Sequence, residues 1–244
     1  MTLEHLESNF YAQGFARFPD TDFAALGLNP QQITALKAVG GTEATHVTQL
    51  MTAISQAGSQ PVQPCQYNFN FDTAANMVGT ARVLEAVGIS AYLGAAPLVQ
   101  NPAVLSAAGS IVTVEARHQT FIRSASNAVP VPNAFDSALG PRAVFTLAAP
   151  FIQSCPQGSN LNIQAFPSIA LAGGGVGIQS GQSLVLADPA QPAGAGFCAF
   201  VDMSQSQFVP LTGGQCQVPP NLSGEVYMMV TRSQSIADSE ILAG

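Results

Sequence analysis

Two Glu-x-x-His pairs, Glu43-Ala44-Thr45-His46 and Glu115-Ala116-Arg117-His118, constrain this chain more than any other feature, because both lie in segments with helical patterning. Residues three apart on a helix share a face, roughly 5–6 Å apart at Cβ, so a carboxylate and an imidazole can reach one metal ion together. With seven Glu and three His in 244 residues, chance placement would give about 0.09 such pairs against the two present. A fold that uses both must bring two long helices together with these faces inward.

Two further helices complete the set. Residues 2–18 read as helix A, with apolar Leu3, Leu6, Phe10 and Phe15 and two acids, Glu4 and Glu7. Glu4 stands almost at the start, whereas a ligand usually has helix on both sides, so the natural chain is expected to begin earlier. Asn29-Pro30 opens helix B, with Pro at the first helical position; it runs to about residue 55 and carries Glu43 and His46. Gly40-Gly41 inside it costs about 1 kcal/mol per Gly relative to Ala. Two readings stand for that doublet: close packing of a neighbouring helix, or a local bulge or access channel beside the ligands.

Residues 58–71 hold two prolines and a polar/aromatic alternation, which reads as an extended crossover. At about 3.3 Å per residue it spans the length of a 25-residue helix, so helices B and C can run parallel. Asp72-Thr73 caps helix C, which carries Glu85 to about residue 95; Asn101-Pro102 opens helix D, which carries Glu115 and His118 to about residue 127.

From residue 142 the helical periodicity stops, and Gly, Pro, Ser, Gln, Val and Thr dominate. Strand-like runs at 163–166, 169–171, 183–187, 197–202, 207–211 and 226–231, bounded by turn residues, predict a small β-sandwich. Four cysteines suit two disulfides and an oxidising compartment. Cys198–Cys216 within the β-rich part and Cys65–Cys155 tying it to the crossover is one of three possible pairings, and the one expected. Asn221-Leu222-Ser223 is a glycosylation sequon.

Charge is scarce, at 9% of residues, so its placement is informative: five of the seven Glu and all three His lie in the first 118 residues. A net charge of −7 with one Lys and six Arg argues against nucleic acid or an anionic membrane surface as a partner. No apolar run of 18 residues is present, so no membrane span is expected. No signal peptide is visible, and one is expected to have been removed from a secreted or wall-associated protein.

One Glu on A, Glu-x-x-His on B, one Glu on C and Glu-x-x-His on D resembles the ferritin-like di-iron or di-manganese carboxylate bundle. The resemblance covers about residues 1–127. Among ferritin-like proteins the chain looks most like the secreted family related to desiccation and fungal stress-response proteins. The stretches that carry this are 3–11 (LEHLESNFY), 41–46 (GTEATH), 84–96 (LEAVGISAYLGAA) and 115–119 (EARHQ). The implied fold class is α+β multidomain: a ferritin-like four-helix bundle with a long B–C crossover over residues 1–140, then the β-sandwich over 141–244.

The resemblance implies two divalent metal ions. Glu4, Glu43 and His46 would hold one side and Glu85, Glu115 and His118 the other, with Glu43 and Glu115 bridging. Two divalent cations would cancel four carboxylates that otherwise repel one another in a low-dielectric core. Carboxylate and imidazole suit Fe or Mn, with Zn as the alternative. Tyr11 follows Glu4 by seven residues and Tyr92 follows Glu85 by seven, so each Tyr shares a face with its Glu. That echo favours Glu4 over Glu7 as the helix A ligand, with Glu7 left to support a ligand. Tyr11 and Tyr92 are candidate donors of hydrogen bonds or electrons at the site, or else packing residues. Arg117 is expected to point off the ligand face.

The implied activity is O2- or peroxide-dependent oxidation, catalase-like or on a small organic molecule, by a monomer or dimer. A non-catalytic protective protein using its metal structurally is the alternative. Iron storage is disfavoured, because the β-rich part would obstruct a closed shell.

Overall fold

The computed structural model describes every residue except 158, 160–161, 175–177, 188–191 and 204. In chain order the helices are α1 (Thr2–Arg17), α2 (Asp20–Ala25), α3 (Pro30–Gln56), α4 (Ala74–Ala95), α5 (Pro102–Ala125) and α6 (Pro141–Ala148). Strand β1 (Gln66–Tyr67) lies in the crossover; β2 (Ile152–Ser154), β3 (Ser183–Val185), β4 (Phe197–Asp202), β5 (Gln205–Pro210), β6 (Gln215–Gln217), β7 (Tyr227–Thr231) and β8 (Ile241–Ala243) follow α6.

Three long helices start where a polar side chain meets the first free backbone N–H groups. Asn29 accepts from Gln32 N at 2.9 Å while the Gln32 side chain accepts from Asn29 N, a reciprocal cap that opens α3. Thr73 accepts from Asn76 N at 3.1 Å and opens α4. Asn101 accepts from Ala103 N at 2.9 Å and opens α5. Helix α3 runs unbroken through Gly40-Gly41. A Cβ at Gly40 would lie 2.7 Å from the Tyr11 Cβ, so this glycine lets α1 pack closely, and the bulge reading is set aside.

Helices α1 and α3 form one packed pair and α4 and α5 the other. Tyr11 meets Gly40 while Glu4 meets His46, so α1 and α3 run antiparallel. Tyr11 meets Glu85 while Tyr92 meets Glu4, so α1 and α4 do too. Helices α3 and α4 are therefore parallel, which only a long crossover permits. That crossover alternates cleanly: Cys65, Tyr67, Phe69 and Phe71 are buried and Gln66, Asn68 and Asn70 exposed. Its aromatic side packs on α1, with Phe10 edge-on to Phe69 and Phe71 at 5.2 and 5.1 Å between centroids. Each such pair adds about 0.5–1.5 kcal/mol beyond area burial. Strand β1 pairs with β2, and Cys65–Cys155 closes the same junction.

The C-terminal part holds two antiparallel sheets, β5-β4-β7-β8 and β3-β6. They face one another through Leu184, Cys198, Phe200, Cys216 and Val218, and Cys198–Cys216 links them covalently. The expected strands at 163–166 and 169–171 are not strands: Pro167 between them removes a ladder donor, and Leu171 makes only an isolated bridge to Leu186. The larger sheet lies against α4 and α6. Val87, Leu139, Val144, Phe166, Ala199, Val201, Met229 and Ile241 form one core between them. Helix α4 is consequently buried continuously from Leu84 to Ser90, which explains its lack of a polar face. Among the described residues, no helix is long and apolar enough to cross a membrane.

Candidate metal centre

All six expected ligand residues face the interior at one level of the bundle. Glu43, Glu85 and Glu115 are 0% exposed, Glu4 1%, and His46 and His118 7%. Each Glu-x-x-His pair puts its two groups on one face: His46 Nδ1 lies 3.3 Å from Glu43 Oε2 and His118 Nδ1 3.8 Å from Glu115 Oε2, each one turn away. Helix pairing then brings each imidazole to the opposite hairpin. His46 Nδ1 is 2.9 Å from Glu115 Oε1, and His118 Nδ1 is 2.8 Å from Glu43 Oε1. The two rings lie 6.2 Å apart between centroids.

Among the described residues, two groups bring one donor atom from each member within 4.8 Å of the others: Glu4, Glu43, His46 and Glu115, and Glu43, Glu85, Glu115 and His118. Glu43 and Glu115 belong to both. Hydrogen bonding alone does not satisfy this arrangement. One Nδ1 carries at most one proton, yet that of His46 lies within 3.4 Å of oxygens from Glu4, Glu43 and Glu115. Short distance does not make each contact a hydrogen bond: both Glu115 oxygens, Glu43 Oε1 and Glu4 Oε2 are buried without a hydrogen-bond partner. Buried oxygens left open, converging with imidazole nitrogen at two adjacent points, are the donor set that hard or borderline cations take. The residues present therefore fit the two-ion centre of this bundle type.

Protonation follows the same geometry. Burial alone would lower the His46 imidazole, but Glu115, Glu4 and Glu43 push it up to about 12. His118 is likewise pushed up to about 11, burial being outweighed by Glu115, Glu43 and Glu85. Burial raises Glu85 to about 8 despite His118, whereas the two imidazoles outweigh burial at Glu115 and hold it down to about 2. The carboxylates thus favour the protonated form of both imidazoles, and burial favours the protonated form of Glu85.

The tyrosines are tied into the site, but not as their spacing suggested. Tyr11 donates to Glu85 and Tyr92 donates to Glu4, each to the carboxylate of the other hairpin. Seven residues along a helix is about 10 Å, too far for a Tyr to reach its own Glu. Burial, and then the Glu4 charge, raise the Tyr92 phenol well above its ordinary range. A cavity of about 260 Å³, lined in part by Leu3, Ala91, Val144 and Phe145, reaches Glu4 and Tyr92. Arg117 is exposed, as expected.

Glu7, expected to support a ligand, lies at the same site, and Arg82, Gln119, Arg123 and Glu225 were not singled out by sequence. Glu7 is 2% exposed, beside the cluster. Burial, and then the charges of Glu115, Glu43, Glu4 and Glu85, raise its carboxyl far above the usual range. On α5, Arg123 Nη1 donates to both oxygens of Glu225 at 2.8 Å, and Gln119, next to His118, donates to Glu225 Oε1 at 3.3 Å. Arg82 Nε lies 3.1 Å from the same oxygen. Glu225 stands 102 residues from Arg123 in a segment with no helical period, so no local spacing joins them.

The model of the ferritin-like domain matches residues 1–128. Protein rds1 of Schizosaccharomyces pombe is 27% identical over 169 residues, 69% of this chain. The chain spans 41% of that relative's length. With the helix order, the long crossover and the buried carboxylate–imidazole cluster, the match over more than half its residues places this chain in the ferritin-like domain family.

Proposed function

We propose that this chain is a secreted oxidoreductase built on a dinuclear Fe or Mn centre and acting on O2 or peroxide. The observation that carries the reading is the pair of overlapping donor groups sharing Glu43 and Glu115. Glu4, Glu43 and His46 would hold one ion and Glu85, Glu115 and His118 the other, with Glu43 and Glu115 bridging. Four carboxylates balance two divalent charges, which removes the repulsion that burial otherwise imposes. When bound, such a pair supplies electron transfer to and from O2 or peroxide.

The protein's own groups do the rest. Tyr11 and Tyr92 orient the terminal carboxylates and hold a proton at each. The cavity reaching Glu4 and Tyr92 is mostly apolar, which suits O2 or a small organic molecule. Residues 1–140 carry the chemistry, and residues 141–244 cover α4. The two disulfides are compatible with the secreted setting.

A second reading, a structural ion pair in a protective protein, draws on the enclosure of the donors, since closed sites suit structural metals. Loading the full chain with Fe(II) or Mn(II) decides between them. The enzyme reading expects two ions per chain, with peroxide or O2 consumption that Glu115→Ala abolishes together with bound metal. Two tightly held ions and no turnover with either oxidant would favour the structural reading.

A further inference from the structure

Glu7 has no place in the six-residue donor set, yet it is built into the same interior. It lies one turn beyond Glu4 on α1, is 2% exposed, and its Oε1 has no hydrogen-bond partner. Burying a carboxyl with an open oxygen is costly unless something binds it.

Its surroundings say where that oxygen points. A Cβ at Gly88 would lie 3.0 Å from Glu7 Oε1 and 3.6 Å from Glu115 Oε2. The Glu7 carboxyl and the Glu115 carboxylate thus both border the space that a side chain at 88 would take, although Glu7 stands outside both four-residue donor groups. The internal repeat sharpens the point. Glu4 and Glu85 correspond, as do Tyr11 and Tyr92, so the counterpart of Glu7, three residues after the first acid, is Gly88. At this position one half supplies an acid and the other leaves room for it.

We infer that Glu7 is a fifth carboxylate ligand of the centre, entering beside Glu115 on the face that Gly88 leaves open. The inference rests on the two-ion reading above. A fifth carboxylate makes the donor set one charge more negative than a divalent pair neutralises, which favours ions that reach the trivalent state, such as Fe and Mn, over Zn.

The test uses Co(II) alone, on the full chain and on Glu7→Gln, which keeps the shape of the side chain and removes its charge. Equilibrium dialysis of the wild type comes first: two ions per chain are expected, and failure to bind two overturns the dinuclear reading and this inference with it. Given two ions, Glu7→Gln is expected to weaken binding of at least one by tenfold or more. It should also raise the visible Co(II) absorption per ion, which increases as coordination number falls. Affinity within twofold of wild type and an unchanged spectrum overturn the inference and leave the two-ion reading standing. Should Glu7→Gln not fold, a crystal of the Co(II)-loaded wild type decides: a Glu7 oxygen at roughly 2.0–2.2 Å from an ion is a bond, and one beyond about 3 Å overturns the inference.

Discussion

Glu43 and Glu115 each belong to both donor groups, while Glu4 and Glu85 each belong to one. That difference separates their variants. Glu43→Ala or Glu115→Ala should release both ions, whereas Glu4→Ala or Glu85→Ala should take the stoichiometry from two to one by mass spectrometric metal analysis. Tyr11→Phe and Tyr92→Phe remove only the donor behind a terminal carboxylate. Groups that orient ligands are worth roughly 10–100-fold in metal affinity, so a competition assay should read a loss of that size; an unchanged affinity would reduce both to packing residues. The protons of the metal-free cluster make a further forecast. Glu85 is raised from 4.5 to about 8, and His46 and His118 from 6.5 to about 12 and 11, so between pH 5 and 9 the folded chain holds more protons than the unfolded one. Stability from these groups is full at low pH and is lost as pH rises through their folded values. The metal-free melting temperature should therefore fall from pH 5 to pH 9. Metal affinity should rise over the same range, since cations displace those protons. A metal-free chain whose melting temperature climbs across that window would contradict the assigned cluster.

Helix α4 has two tasks, because it presents Glu85 to the bundle interior and Val87 to the β-sheet behind it. The sheet is held against the bundle by apolar packing and by Glu225, which receives Arg123 and Gln119 from α5 and lies beside Arg82 of α4. Ser90 and Tyr227 meet at 2.9 Å across the same seam. Removing one partner of a buried charge pair costs roughly 3–5 kcal/mol. Glu225 keeps some solvent contact, at 19% side-chain exposure, so Arg123→Ala should cost less, about 2–3 kcal/mol. Denaturant unfolding would register this as a shift of midpoint. Gln119 adjoins His118, so the same variant should also weaken metal binding slightly; a midpoint within 0.5 kcal/mol of wild type, near the scatter of surface substitutions, would show the seam to be held by apolar contact alone.

Across the whole molecule, two covalent links secure what packing alone arranges. Cys65–Cys155 closes a loop of 90 residues from the crossover to β2, and Cys198–Cys216 closes one of 18 between the two sheets. Loop-closure entropy makes the longer link worth about 4–5 kcal/mol and the shorter about 3 kcal/mol. Replacing Cys65 and Cys155 by Ser should lower the melting temperature more than replacing Cys198 and Cys216, by calorimetry on the two variants. The longer link also anchors the stretch whose Tyr67, Phe69 and Phe71 cover α1. Its loss should therefore loosen the helix that carries Glu4 and weaken metal binding too.

Periodicity, spacing and composition by themselves determined much of this protein. The helix-bearing Glu-x-x-His pairs, their order with Glu4 and Glu85, and the alternation of the crossover are local patterns, set by 3.6-residue and two-residue repeats that short stretches carry. Composition also announced the β-rich C-terminal part, but not helix α6 (Pro141–Ala148), which forms where the helical period was expected to stop because eight residues carry too little pattern to register. Only the tertiary structure decided which groups meet across helices. Tyr11 reaches Glu85 rather than the Glu of its own helix, Glu7 turns toward the space at Gly88, and Glu225 joins Arg123 from 102 residues away. Those meetings depend on how far each helix slides and rotates against its neighbours. Interlocking side chains throughout the core set that quantity, and no single stretch of sequence encodes it.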